Sequence, residues 1–303
     1  MNTRRVIIVL VFFALIIFTI TIGALKRNKS AMLNQQKKQT GALVVVATTY
    51  PLYDFTRMVT DNAPNVMVKN LLPLNVKPHD FTPTPEITAT LAETNVIIKN
   101  GLGLDAYIDR LIAASNSRAV IINTSANAEI LYSNGAPDVH IWLDPQNAII
   151  QVERIRDALI AVNPENKNIY EQNAGRYMAL LNQLDNDYEM TIKNTGQKKF
   201  ISYHSAFRYL AKRYGLAEVA TIVAAPDKEP SAREIAALTR IIKDQKIKVI
   251  FSEPQISPRI VETLAADLGL KILNLDPIET GGEDDSYLAI MRRNLEILKN
   301  ELR

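Results

Sequence analysis

The chain has no cysteine among its 303 residues. This excludes disulfides, thiolate metal sites, iron–sulfur clusters, a thiol nucleophile and lipid attachment at an N-terminal cysteine. Histidine is nearly as scarce, with three copies. Basic clusters are missing from the body of the chain. Arg4, Arg5, Lys26, Arg27, Lys29, Lys37 and Lys38 all precede residue 42 without an acid among them, so the formal charge of +3 conceals a body with 28 bases against 32 acids. A mildly acidic body without a basic stripe argues against nucleic acid as a partner. Internal repeats and low-complexity tracts are absent too. With 47% hydrophobic and 22% charged residues, the composition is that of a globular protein with room for about two domains.

Charge is also missing from Val6 through Leu25, a run of 20 residues diluted by Thr19, Thr21 and Gly23. Such a run is long enough to cross a bilayer as a helix, and basic residues flank both ends. It predicts export, with residues 1–25 acting either as a cleaved signal peptide or as an N-terminal membrane anchor. Residues 26–41, rich in Gln, Lys and Asn, read as a flexible tether. The body is then expected in the periplasm or on the outer face of the cytoplasmic membrane.

From Ala42 onward, short apolar runs alternate with helical patterns, the signature of βα units and a mostly parallel sheet. The first half offers strands at Leu43–Thr48, Val66–Leu72, Val96–Asn100, Ala119–Asn123 and Val139–Leu143; the second offers Lys199–Tyr203, Glu218–Val223, Val249–Ser252 and Lys271–Leu275. Between them, Asp144-Pro145 opens a helix with a capping carboxylate, and Asn163-Pro164 restarts it. Tyr170, Ala174, Tyr177, Leu181, Leu184 and Tyr188 then recur at helical spacing up to Lys193. A helix over 164–193 would be roughly 45 Å long. The expected fold is α/β: two lobes, residues 42–163 and 194–303, each with a mostly parallel sheet flanked by helices and joined by one long connector helix. An ordinary core helix of one lobe is the alternative reading of 164–193.

His79, His140 and His204 each fall where a strand is expected to end, separated by 61 and 64 residues, so no local chelate exists and any common site must be built by the fold. In open α/β sheets ligands gather beyond the carboxyl ends of strands, and imidazole is the commonest protein ligand for zinc-like metals. With His79 and His140 in the first lobe and His204 in the second, a shared metal would lie in the interlobe cleft. Asp276, at the end of the last strand, would add an oxygen and complete a tetrahedral set suited to Zn2+. Each residue has a plainer reading. A single histidine is more often a surface or hydrogen-bonded core residue; Asp276 before Pro277 can cap a turn, and Asp144 reads as a helix cap. Glu253 can orient a ligand histidine or be a loop carboxylate.

Six ordered segments carry a resemblance: Thr48-Thr49-Tyr50-Pro51-Leu52, Pro78-His79-Asp80-Phe81-Thr82-Pro83-Thr84-Pro85, Asn100-Gly101-Leu102-Gly103-Leu104, His140-Ile141-Trp142-Leu143-Asp144-Pro145, His204-Ser205-Ala206-Phe207 and Phe251-Ser252-Glu253-Pro254-Gln255. Over about residues 43–302 the chain resembles the cluster A-I solute-binding receptors of zinc and manganese ABC importers. The resemblance implies two α/β lobes on a long helix, metal ligation by His79, His140 and His204, and Asp276 as the carboxylate that many members add. It also implies a non-enzymatic monomeric receptor that hands its ion to an ABC permease. Thr82 stands where many members carry Glu, and Ser125–Val139 lacks the histidine-rich loop of many zinc-type members. A third imidazole at position 204, where manganese members usually have Glu, favours zinc over Mn2+. A manganese receptor, a zinc-dependent hydrolase and a surface adhesin are the rival readings.

Overall fold

The computed structural model describes residues 41–302, apart from 74–75, 79–80, 82–83, 116, 134, 224–228, 255–258 and 283–284. The apolar run at 6–25 lies outside the described residues, as does nearly all of 26–41. Among the described residues no helix is long and apolar enough to cross a membrane.

Valine and isoleucine dominate the first four strands, whose branched side chains favour a pleated, buried surface. β1 (Leu43–Ala47), β2 (Val66–Asn70), β3 (Val96–Lys99) and β4 (Val120–Asn123) form a parallel sheet in the order β2-β1-β3-β4. β3 is buried at every position, as expected for a strand covered by helices on both faces. After a short antiparallel hairpin, β5 (Tyr132–Ser133) with β6 (Ala136–Pro137), the second lobe repeats the plan. β7 (Lys199–Ser202), β8 (Ala217–Thr221), β9 (Val249–Ser252) and β10 (Lys271–Asn274) are parallel in the order β10-β9-β7-β8. In both lobes the first strand is internal, the second lies on one side, and the third and fourth lie on the other.

The helices are α1 (Tyr50–Thr60), α2 (Pro85–Ala92), α3 (Tyr107–Ser115), α4 (Pro145–Val162), α5 (Lys167–Lys193), α6 (Arg208–Tyr214), α7 (Ala232–Asp244), α8 (Arg259–Leu268) and α9 (Tyr287–Glu301). Asp144 caps α4 by accepting from the Gln146 amide at 2.8 Å, with Pro145 in the first turn. A 3-10 turn at Pro164–Asn166 separates α4 from α5, whose 27 residues span roughly 40 Å. Its buried stripe is Tyr170, Ala174, Tyr177, Leu181, Leu184, Tyr188 and Ile192.

Among the described residues, three apolar cores follow from this layering. The largest joins the inner faces of both sheets through α1, α4, α5 and α9, so Val45, Trp142, Leu181, Phe251, Ile278 and Met291 belong to one cluster. Smaller clusters fill the outer face of the second sheet, around Ile201, Ile242 and Val261, and of the first, around Val46, Leu91 and Ile108.

One expected strand is absent. Val139–Leu143 holds a 3-10 turn at Ile141–Leu143. The Asp138 carboxylate accepts from the His140 amide at 3.0 Å, a local bond that competes with a sheet ladder. The β5–β6 hairpin was not expected; two residues per strand are too few to leave an alternating pattern.

Candidate metal centre

His204 lies two residues past the end of β7, and Glu253 directly follows β9. Glu253 Oε1 receives His204 Nδ1 in a short hydrogen bond. Its other oxygen, Oε2, accepts from Lys77 Nζ at 3.0 Å, with both side chains buried. Lys77 belongs to the loop of the first lobe that leads to His79, so this ion pair crosses the cleft.

His140 is held in the same manner. Asp138 Oδ1 meets both its backbone amide, at 3.0 Å, and its Nδ1, at 2.9 Å. A carboxylate at each Nδ1 keeps a proton on that nitrogen, fixes the ring and turns the Nε2 lone pair into the cleft. The two Nε2 atoms lie 3.3 Å apart. Glu279 Oε1 is 3.3 Å from each of them. His140, His204 and Glu279 are all buried, at 5%, 3% and 2% exposure, and form a group able to hold a metal ion.

Burial by itself would lower the basicity of these imidazoles, but their acidic partners outweigh it. Hydrogen bonds to Glu253 and Glu279 carry His204 up to about 10. Bonds to Asp138 and Glu279 likewise raise His140, opposed by the neighbouring His204. Without a metal the centre therefore holds protons tightly.

Of the residues expected from sequence, His140 and His204 come together in this group. His79 lies outside the described residues. Asp276 is not a member of the group. Its Oδ1 turns back to accept from the Ile278 amide at 2.8 Å, the turn-capping alternative, and burial pushes its carboxyl up to about 6. The carboxylate facing the two imidazoles is Glu279, three residues further on, which sequence reasoning missed. Its signal was the pair Gly281-Gly282 just beyond it: a Cβ on Gly281 would lie 2.0 Å from the Tyr50 ring, so the backbone there approaches the first lobe too closely for any side chain. Glu253 hydrogen-bonds the His204 ring, the contact that the orienting reading of its position calls for.

The profile of the family described as "Zinc-uptake complex component A periplasmic" matches residues 45–301. The chain is 33% identical over 281 residues to the high-affinity zinc uptake system protein ZnuA of Bacillus subtilis, covering 86% of this chain and 88% of that protein. It is 32% identical to the zinc-binding lipoprotein AdcA of Streptococcus pneumoniae, over 88% of this chain and 57% of that longer protein. The Zn(II)-bound crystal structure of the ZnuA-like domain of AdcA superposes with a TM-score of 0.77 at 32% identity, covering 86% of this chain and 99% of the domain. The laminin-binding protein Lmb of Streptococcus agalactiae, described as having adhesin and metal-transporting activity, superposes at 0.80 with 27% identity, over 86% of this chain and all of that one.

Proposed function

Because the chain belongs to the zinc-uptake complex component A periplasmic family, we propose that it is an extracytoplasmic receptor that captures one Zn2+ as cargo and delivers it to an ABC-type permease. The observation that carries this reading is the triangle of His140 Nε2, His204 Nε2 and Glu279 Oε1, with sides of 3.3 Å. Ligand atoms placed tetrahedrally about 2.0–2.1 Å from a zinc ion stand roughly 3.3–3.4 Å from one another. The triangle thus has the dimensions of one face of a zinc tetrahedron, and His79, which lies outside the described residues, is the residue we assign to the fourth ligand from its place in the sequence. Three nitrogens and one oxygen favour zinc over manganese in a site of this kind. The reaction is binding and release, with no chemical step.

On this reading residues 42–163 and 194–303 are the two lobes, 164–193 connects them, residues 6–25 export or anchor a monomeric body, and retention by lipid on cysteine is excluded by composition. The test is metal content and growth. The protein should carry one zinc per chain, and cells lacking it should fail to grow when zinc is scarce. Unchanged zinc affinity in a His140→Ala/His204→Ala double variant would overturn the reading.

A further inference from the structure

Ile278 has a backbone φ of +60°. A β-branched side chain is rarely found in that left-handed region, and such conformations persist where the surroundings enforce them. Ile278 is fully buried in the largest core, and the residue after it is Glu279.

Four groups enforce this bend. Asp276 Oδ1 accepts from the Ile278 amide at 2.8 Å. Asn294, from α9, grips the backbone of Asp276 on both sides, accepting from its amide at 2.9 Å and donating to its carbonyl at 2.8 Å. The Trp142 indole, two residues beyond His140, donates to the Pro277 carbonyl at 2.8 Å. Pro277 itself fixes one dihedral angle. Of the four, the Asp276 carboxylate is the group that hydrogen-bonds the strained residue itself.

We propose that Asp276 is a positioning residue for the metal centre: its side chain closes the turn that holds Ile278 in the left-handed conformation and thereby aims Glu279 at His140 and His204. The proposal rests on the receptor reading and specifies how one ligand of that site is built. It requires a hydrogen-bond acceptor at position 276, not a charge and not a metal ligand. Asparagine supplies the same Oδ1 acceptor and is well suited to such turns; serine closes them more weakly, and alanine not at all.

Zinc affinity by chelator competition, and the visible absorption of bound Co2+ as a report on the ligand set, test this in the full-length protein. Asp276→Asn should stay within about threefold of the unmodified protein, with the same cobalt spectrum. Asp276→Ala should lose roughly 10–100-fold, as expected when a ligand's support is removed, and its cobalt spectrum should move toward that of Glu279→Gln. Asp276→Ser should fall between, which keeps the comparison informative if the alanine variant does not fold. An asparagine variant as weak as the alanine or serine variant, or an alanine variant as tight as the unmodified protein, would overturn the proposal. So would a Glu279→Gln variant that binds zinc at full strength; failure of the receptor reading looks different, because the unmodified protein would then bind no zinc.

Discussion

The protons held by the centre make zinc affinity depend on pH in a window set by the structure. His204 at about 10 faces Glu253 and Glu279, with the Lys77 ammonium behind Glu253 and the His140 ring opposite. At pH 7 its imidazole is therefore charged, and zinc can take Nε2 only after a proton leaves. For that group alone, apparent affinity at pH 7 lies about a thousandfold, or about 4 kcal/mol, below its high-pH limit. Between pH 7 and 9 affinity should rise about a hundredfold for His204, and more because His140 is raised as well. Chelator competition at each pH gives the slope, and calorimetry at pH 7 in buffers of different ionisation heat should count at least the one proton released from His204 per zinc. The metal-free protein should behave oppositely. A folded pKa raised above the unfolded value contributes stability that is fully present below pH 6.5 and lost as pH rises toward 10. Its melting temperature should therefore fall over that range while the zinc-induced increase grows. Affinities equal within threefold at pH 7 and 9 would refute the reasoning, because imidazoles held in this way cannot bind metal without releasing protons.

Glu253→Ala should weaken zinc binding roughly 10–100-fold by freeing the His204 ring. It should also cost about 3–5 kcal/mol in denaturant unfolding, because the Lys77 ammonium stays buried without its partner. His204→Glu should shift the zinc-to-manganese affinity ratio toward manganese; an unchanged ratio in competition titration would count against the nitrogen-rich set. In Gly281→Ala, the added Cβ meets the Tyr50 ring. Displacing that ring or the turn should cost about 1–3 kcal/mol and at least tenfold in zinc affinity, read by thermal melts and chelator competition.

The lobes were legible because their signals are local. Runs such as Val96–Lys99 and the Tyr170–Tyr188 stripe declare a strand and a helix without help from distant residues. Asp144 capping its helix was readable for the same reason. His140 and His204, two of only three histidines, stood out by scarcity and come together in one group. The carboxylate that faces them was not legible, because choosing between two carboxylates three residues apart depends on which way a turn folds. Besides Asp276 itself, that turn is held by Asn294 and Trp142, 18 and 135 residues away in sequence from the carbonyls they bind. The Lys77–Glu253 pair spans 176 residues, and no spacing rule anticipates it. Asp138 could have been suspected, since a carboxylate two residues before a ligand histidine can reach both its amide and its ring.

The core that runs unbroken through both lobes makes the molecule a clip with a stiff spine. Leu181, Ile278 and Met291 pack in the same cluster as Val45 and Trp142, and the Tyr287 hydroxyl donates to the Trp142 carbonyl at 2.6 Å. A force that spreads the lobes cannot slide them apart along a wet seam; it has to bend them about that spine. Displacement in a bent clip grows with distance from the spine. Elastic bending, recovered when the load is removed, would then return the jaws to register for the next ion.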